Sequence, residues 1–115
     1  MSLDVYLSTQ VDTGGKEPYD VQLFTTNITH NLGAMAEWAG VYKAVWRPEE
    51  NAIKTADQLI PILEAGLKKL IDNFDEASKY NSGNGWGMYP HFVSFLEDYL
   101  AACKQHPKAQ VRACR

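Results

Sequence analysis

A run of polar side chains stands where a predicted strand gives way to a predicted helix. Residues 27–31 read Asn-Ile-Thr-His-Asn, and four of the five can donate or accept hydrogen bonds. An apolar pattern at helical spacing follows at once. The start of a helix has unpaired N–H groups and the positive end of the helix dipole, so it attracts anions. The run predicts an anion-binding turn, and the alternative is an ordinary N-cap at Thr29 or Asn31.

A second loop of similar composition, residues 81–87, precedes the last predicted helix and is rich in glycine. Glycines let a ligand approach the backbone closely. If the two helix starts meet at one edge of the sheet, they form a site for a phosphate or carboxylate, with aromatic rings to stack and an arginine to pair with the anion. The predicted ligand-binding residues are Asn27, Thr29, His30, Asn31, Trp46, Arg47, Asn84, Gly85, Trp86 and Tyr89. The alternatives are that Trp86 covers the core edge and that Arg47 is a solvated surface charge.

His30 is the candidate for acid–base chemistry. A histidine general base needs a carboxylate to orient its other ring nitrogen, and Asp4 on the first predicted strand is the candidate for that role. The alternative is a histidine that is hydrogen-bonded at a helix start. The three histidines match no zinc motif, and no serine or cysteine lies in a nucleophile elbow. The sequence therefore predicts no metal site and no cofactor.

The composition indicates a folded, soluble chain. Hydrophobic residues make up 45% and charged residues 22%, which favours one globular domain over residues 1–115. The net charge of -3 argues against binding of long nucleic acid, although a small anion needs only a few donors. There is no apolar run long enough for a membrane span and no leader-like segment. We expect a cytoplasmic protein without a membrane partner.

Strand patterns occupy both ends of the chain. Residues 2–7 and 20–28 alternate between apolar and polar side chains, and a Gly-Gly pair at 14–15 lies between them. This pattern predicts an antiparallel hairpin. Residues 109–114 alternate again and predict a final strand.

Helical patterns occupy the middle. The first helix is expected from Thr29 or Asn31 to Gly40, and residues 41–46 are either a further helical turn or extended. A capping box at Thr55 and Gln58 begins the longest helix. Pro61 lies inside this helix and is expected either to kink it or to shift its start. Residues 73–87 read as a loop before the last helix.

Together these elements predict an α+β fold. The sheet is small and mostly antiparallel, formed by the N-terminal hairpin and the C-terminal strand, and about three helices pack on one of its faces. Trp38 lies off the main apolar stripe of its helix, and beside Tyr42 it is a candidate anchor for a homodimer. Cys103 and Cys114 are interpreted as two reduced thiols, with a disulfide as the alternative.

Four short segments carry a resemblance to known proteins. They are residues 27–36, Trp-Arg-Pro-Glu-Glu at 46–50, Asn-Gly-Trp-Gly at 84–87 and Tyr-Leu-Ala-Ala-Cys-Lys at 99–104. In these the chain resembles, over nearly its whole length, a group of small, mostly uncharacterised proteins encoded by bacteriophages and prophages. The resemblance implies a phage or prophage setting in bacterial cytoplasm. Small phage proteins of this kind often modulate the host, including its immune signalling.

Three functional hypotheses follow. The first is a protein that binds and sequesters a small anionic, nucleotide-like ligand at the two helix starts to evade host defence. The second is an inhibitor that blocks a host enzyme through an apolar and acidic surface. The third is a small hydrolase or lyase that uses His30 as acid or base.

Overall fold

The fold combines a three-stranded antiparallel sheet with a layer of helices, in a computed structural model that describes residues 2–81, 85 and 87–115. The strands are β1 (Ser2–Val11), β2 (Tyr19–Thr29) and β3 (Gln110–Cys114). β1 is the central strand and pairs antiparallel with both neighbours, in the order β2-β1-β3. The α+β prediction with a hairpin and a C-terminal strand is confirmed.

Both hairpin strands are longer than predicted. The alternation of Leu3, Val5 and Leu7 turns these side chains toward the helices, where all three are fully buried. Asp4 and Tyr6 alternate with them on the open face of the sheet. Beyond Leu7 a bulge places Leu23 opposite no residue of β1, since Leu7 pairs with Phe24 and Ser8 pairs with Gln22.

Within the described residues, five helices form the second layer. They are α1 (Gly33–Ala39), α2 (Tyr42–Trp46), α3 (Ala56–Asp72), α4 (Phe74–Ser78) and α5 (Tyr89–Gln105), and 3-10 turns span His30–Leu32 and Pro48–Asn51. Gly40 ends α1 with a φ of 83°, as a left-handed C-cap requires. Residues 42–46 take the helical alternative. Pro61 lies inside α3 and does not shift the start of this helix. The predicted capping box is present there, formed by Thr55 and Gln58.

The prediction of an uninterrupted loop over residues 73–87 was wrong in its first part. α4 forms there, with Asp75 and Glu76 in its first turn and Ala77 fully buried. Acidic side chains favour the start of a helix, and the buried Ala77 and the ring of Phe74 pack α4 against its neighbours. The short polar segment lacks an apolar period, so its pattern did not predict this helix.

The hydrophobic core lies between the sheet and the helices. Trp46, Phe92 and Tyr99 are among its largest side chains, with Leu59, Leu63 and Leu96 around them. Gly66 in α3 permits a close approach, because an added Cβ would lie 2.3 Å from Cγ1 of Val41. None of the helices in the described ranges is both long and apolar enough to cross a membrane.

Candidate functional site

His30 and Trp46 are joined by a hydrogen bond, although they lie 16 residues apart. The indole Nε1–H of Trp46 donates to Nδ1 of His30 across 3.0 Å. Trp46 is only 2% exposed, and a buried indole N–H requires an acceptor. Because Nδ1 accepts this bond, the neutral ring carries its proton on Nε2. Nε2–H is then the donor that His30 can offer to another group.

Asp4 lies away from this hydrogen bond. It stands opposite Asn27 on β2 and Cys114 on β3, on the open face of the sheet. Among the described residues there is no hydrogen bond between Asp4 and His30, and Nδ1 of His30 already accepts from Trp46. The group that orients the imidazole is therefore an indole, which the sequence analysis did not identify.

The turn at Thr29 is a helix cap. Oγ1 of Thr29 accepts a hydrogen bond from the backbone N–H of Asn31 across 3.3 Å, as the N-cap alternative predicts. Only a 3-10 turn and the seven-residue α1 follow it. A helix of two turns has a weak dipole, so the backbone alone attracts an anion poorly there.

The two predicted loops touch each other at Gly87. A Cβ built on Gly87 would lie 3.0 Å from Cγ2 of Thr29 and 3.2 Å from Cβ of Asn31. The φ of Gly87 is 91°, a second reason why glycine is needed at this position. The two loops are thus in contact, but the contact distances leave no space for a ligand between Gly87 and the turn. Asn84 and Trp86 lie outside the described residues, and Gly85 is exposed.

Tyr89 connects the start of α5 to the rest of the helical layer. Its backbone N–H donates to Oδ1 of Asn81 across 2.6 Å, and its hydroxyl donates to the carbonyl oxygen of Leu70 across 2.9 Å. Its ring meets Phe74 edge-on at 4.8 Å. Burial raises the pKa of the Tyr89 hydroxyl. These contacts give Tyr89 a role in packing.

A groove of about 490 Å³ lies beside the His30 turn. We call it the His30 groove, and its main lining residues are His30, Glu37, Tyr42, Trp46, Arg47 and Arg115. Its volume lies within the range of roughly 300–1,000 Å³ that is common for small-molecule sites. The ring of Tyr42 stacks on Trp46 with centroids 5.3 Å apart and covers one side of the buried indole. Tyr42 is half-buried, whereas Trp46 is buried. The side chain of Tyr42 therefore offers a ligand more exposed surface than the side chain of Trp46.

Two arginines meet at the rim of the His30 groove. Nη1 of Arg47 lies 2.7 Å from Oε2 of Glu50, and Nη1 of Arg115 lies 2.5 Å from Oε1 of Glu49. Arg115 also donates to the carbonyl oxygen of Trp46 across 2.8 Å. The hydrogen bond from Arg115 lowers the pKa of Glu49, and the bond to Glu50 raises that of Arg47, with Tyr42 contributing next. These side chains are partly exposed, so each pair adds little stability and its arginine can exchange partners.

Sequence reasoning missed Arg115. It lies 69 residues after Trp46 and reaches the groove because β3 pairs with β1 and ends beside α2. The alternation of residues 109–114 predicted this strand but indicated neither its neighbour nor its direction. The pattern therefore carried no signal that Arg115 and Arg47 would share a groove.

Comparison with known proteins adds no assignment. No family model matches this chain. No curated protein and no solved structure matches it significantly.

Other candidate features lie apart from the groove. Trp38, the candidate anchor for a homodimer, is half-buried, with Nζ of Lys69 4.5 Å from the centroid of its ring. Cys103 is buried in α5 and Cys114 is exposed, and both are free thiols. Within residues 2–81, 85 and 87–115, no group of three or more His, Cys, Asp or Glu side chains could hold a metal ion.

Proposed function

We propose that this chain binds a small anionic, nucleotide-like ligand in the His30 groove. The observation that carries the proposal is the hydrogen bond from Trp46 to Nδ1 of His30, which leaves Nε2–H as a donor in a groove lined by Arg47 and Arg115. Three donors of this kind suit a phosphate or carboxylate. The site is therefore proposed beside the first helix start rather than between the two loops.

The remaining groove residues support a nucleotide-like ligand over a bare anion. The half-buried ring of Tyr42 offers an aromatic surface, and bases stack on such rings. Glu37 is a hydrogen-bond acceptor on the same groove and would repel a second negative charge. An acceptor there favours a ligand with a donor, such as a ribose hydroxyl or an exocyclic amine, beside its anionic group.

The biological role we propose follows from the resemblance to phage and prophage proteins. In that setting, a protein that binds a nucleotide without consuming it sequesters a signalling nucleotide of the bacterial host. The net charge of -3 disfavours long nucleic acid as a competing ligand.

Isothermal titration with a panel of linear and cyclic nucleotides tests this function. We expect heat of binding for at least one nucleotide, and an affinity lower by roughly tenfold or more in Arg47→Gln, since hydrogen bonds to charged groups contribute about 1.5–3 kcal/mol. Arg112→Gln removes the same charge on the open face of the sheet and should leave binding unchanged. A folded wild-type protein that releases no heat with any nucleotide would contradict the proposal.

A second candidate function is supported by an exposed apolar surface at the end of α3. Ile71 is 60% exposed and Phe74 is 54% exposed, and Asp72, Asp75 and Glu76 lie beside them. Apolar side chains with an acidic rim are typical of a protein-binding surface. This surface fits the hypothesis that the chain inhibits a host enzyme. A stoichiometric partner that is lost with Phe74→Ser but retained with Arg47→Gln would favour this function over ligand binding.

A further inference from the structure

The two edges of the sheet differ in how their backbone groups are covered. The outer edge of β3 is covered in part, because the N–H of Val111 donates to the carbonyl oxygen of Lys54 across 2.9 Å and Thr55 forms a bridge with Gln110. On the outer edge of β2, the backbone of Tyr19–Thr29 makes no hydrogen bond to any residue outside the hairpin in the described part of the chain. The N–H and C=O groups that point outward from β2 are therefore available to another strand.

β2 also lacks most of the features that protect an exposed edge from pairing. It is 11 residues long, contains no lysine or proline, and has Asp20 as its one charged residue. That carboxylate is paired with Arg112 at 3.4 Å. The bulge at Leu23 is the one protective feature, and it leaves residues 24–29 as a regular strand. This regular part carries no charge.

The hairpin extends past the rest of the protein. β3 pairs with β1 only as far as Ser8, so residues 9–11 and 19–21 continue as a two-stranded ribbon. One side of the ribbon presents Val11, Tyr19 and Val21, which are 43%, 65% and 39% exposed. These residues lie on the side of the sheet that faces the helices, beyond the end of the helical layer. A two-stranded ribbon with an uncovered apolar side is marginally stable in water.

The dimensions of the molecule agree with this overhang. Its extents are 53 × 27 × 22 Å, and its accessible surface is 6707 Å². A compact monomer of 12.9 kDa should expose about 6,300 Å². The accessible surface exceeds this value by roughly 400 Å², in the direction that an overhanging ribbon predicts.

We infer that this chain forms a homodimer in which β2 pairs antiparallel with β2 of a second copy. A two-fold axis normal to the sheet generates this pairing and keeps the helices of both copies on one side. This axis keeps each side chain on the same face of the sheet, so residues that lie opposite each other must point to the same face. Since side chains alternate between the faces along a strand, the two-fold axis must then pass through a residue rather than between two residues. A centre at Thr26 gives a continuous six-stranded sheet.

The residues that this register brings together favour a second copy as the occupant of the edge. Phe24 lies opposite Ile28 of the second copy, Thr26 opposite Thr26, and Thr25 opposite Asn27. An aromatic residue opposite a β-branched residue, and a threonine opposite a threonine, are favourable cross-strand pairs. No like charges face each other, since residues 24–29 are uncharged. Each ribbon then extends past Thr29 of the other copy, with its apolar side toward the helical layer of that copy.

The test is the molar mass in solution, measured by light scattering and sedimentation over a wide range of concentration. We expect wild-type protein at twice 12.9 kDa. The double variant Thr25→Lys/Asn27→Lys places ammonium groups directly opposite each other at the dimer contact, at two exposed positions where one copy tolerates lysine. It should be monomeric with an unchanged circular dichroism spectrum. Ser94→Lys/Gln105→Lys adds the same charge at exposed positions of α5 and should remain dimeric.

Each outcome decides the inference. Wild-type protein that is monomeric at every concentration overturns it, and so does monomeric protein that instead binds an unrelated extended peptide along β2. A dimer that survives Thr25→Lys/Asn27→Lys places the interface elsewhere and also overturns it. If the double variant fails to fold, hydrogen exchange of the wild type provides the test, because the outward amides of residues 24–28 must become protected as the dimer forms.

Discussion

The indole of Trp46 and the imidazole of His30 form one hydrogen-bonded unit, with 3.0 Å between Nε1 and Nδ1. This bond connects the turn after β2 with the buried side of α2. It satisfies the donor of a nearly buried indole and determines which nitrogen of His30 carries the proton. The same bond therefore serves the stability of the core and the donor arrangement of the His30 groove.

Removal of His30 should destabilise the protein. His30→Ala leaves the buried N–H of Trp46 without an acceptor, which costs about 1–3 kcal/mol in the free energy of unfolding. Urea denaturation monitored by tryptophan fluorescence measures the change. His91→Ala removes an exposed histidine and should change stability by less than about 0.5 kcal/mol. Equal effects of the two substitutions would show that the Trp46 bond contributes nothing.

The close contact at Gly87 predicts a large cost for a methyl group. Gly87→Ala combines a left-handed backbone with contacts of 3.0–3.2 Å to Thr29, Asn31 and Leu32. Gly14→Ala is the matched control, because Gly14 has a φ of 85° and no atom within 4 Å of an added Cβ. We expect thermal and urea unfolding to report about 1–3 kcal/mol more destabilisation for Gly87→Ala than for Gly14→Ala. A Gly87→Ala protein as stable as the control would contradict the contact between the loops.

Two tyrosines should respond differently to loss of the hydroxyl. The Tyr99 hydroxyl is buried without a hydrogen-bond partner among the described residues, and burial raises its pKa. Tyr99→Phe should therefore be neutral or stabilising by up to about 1 kcal/mol. Tyr89→Phe loses the bond to Leu70 and should destabilise by about 1 kcal/mol. Chemical denaturation of both variants checks the signs, and destabilisation by Tyr99→Phe would reveal an acceptor for its hydroxyl.

The two thiols should differ strongly in reactivity. Burial raises the pKa of Cys103 to about 12, so almost no thiolate forms there at pH 8, whereas Cys114 is exposed on the sheet. A chromogenic disulfide reagent should titrate one thiol per chain in native protein and two in denaturant. Cys114→Ser should abolish the rapid reaction. Fast labelling of both thiols in the native state would contradict the burial of Cys103.

Local sequence signals predicted the elements well where a physical rule acts within a few residues. The alternation of Leu3, Val5 and Leu7 predicted β1, and Gly40 ended the first helix as expected. The capping box at Thr55 began α3. Each of these depends on backbone geometry or on a side chain within four residues. α4 escaped prediction because Ala77 is the one buried residue among its five, and a single residue has no period.

The candidate functional residues also divide into those that local sequence signals predicted and those that depend on tertiary packing. The sequence indicated the polar turn at residues 27–31 and the cap at Thr29, since a cap is a local hydrogen bond. It indicated Asp4 as a candidate to orient His30, and Trp46 as one of the candidate rings to stack on a ligand. In the folded chain Asp4 lies on the open face of the sheet, and Trp46 is buried against Tyr42 and Phe92. Which face a strand residue takes follows from its pairing, and the burial of an aromatic ring follows from the packing of distant elements.

By itself the sequence determined the α+β class, the hairpin, the helix ends at Gly40 and Thr55 and the polar turn at His30, because hydrophobic period, capping and turn chemistry act over a few residues. Only the tertiary structure decided that Trp46 would be the partner of His30, that Gly87 would touch Thr29, and that Arg115 would join Arg47 at one groove. It also decided which edge of the sheet is left open. These relations depend on strand order and on the packing of helices against the sheet, which bring together residues 16 to 69 positions apart.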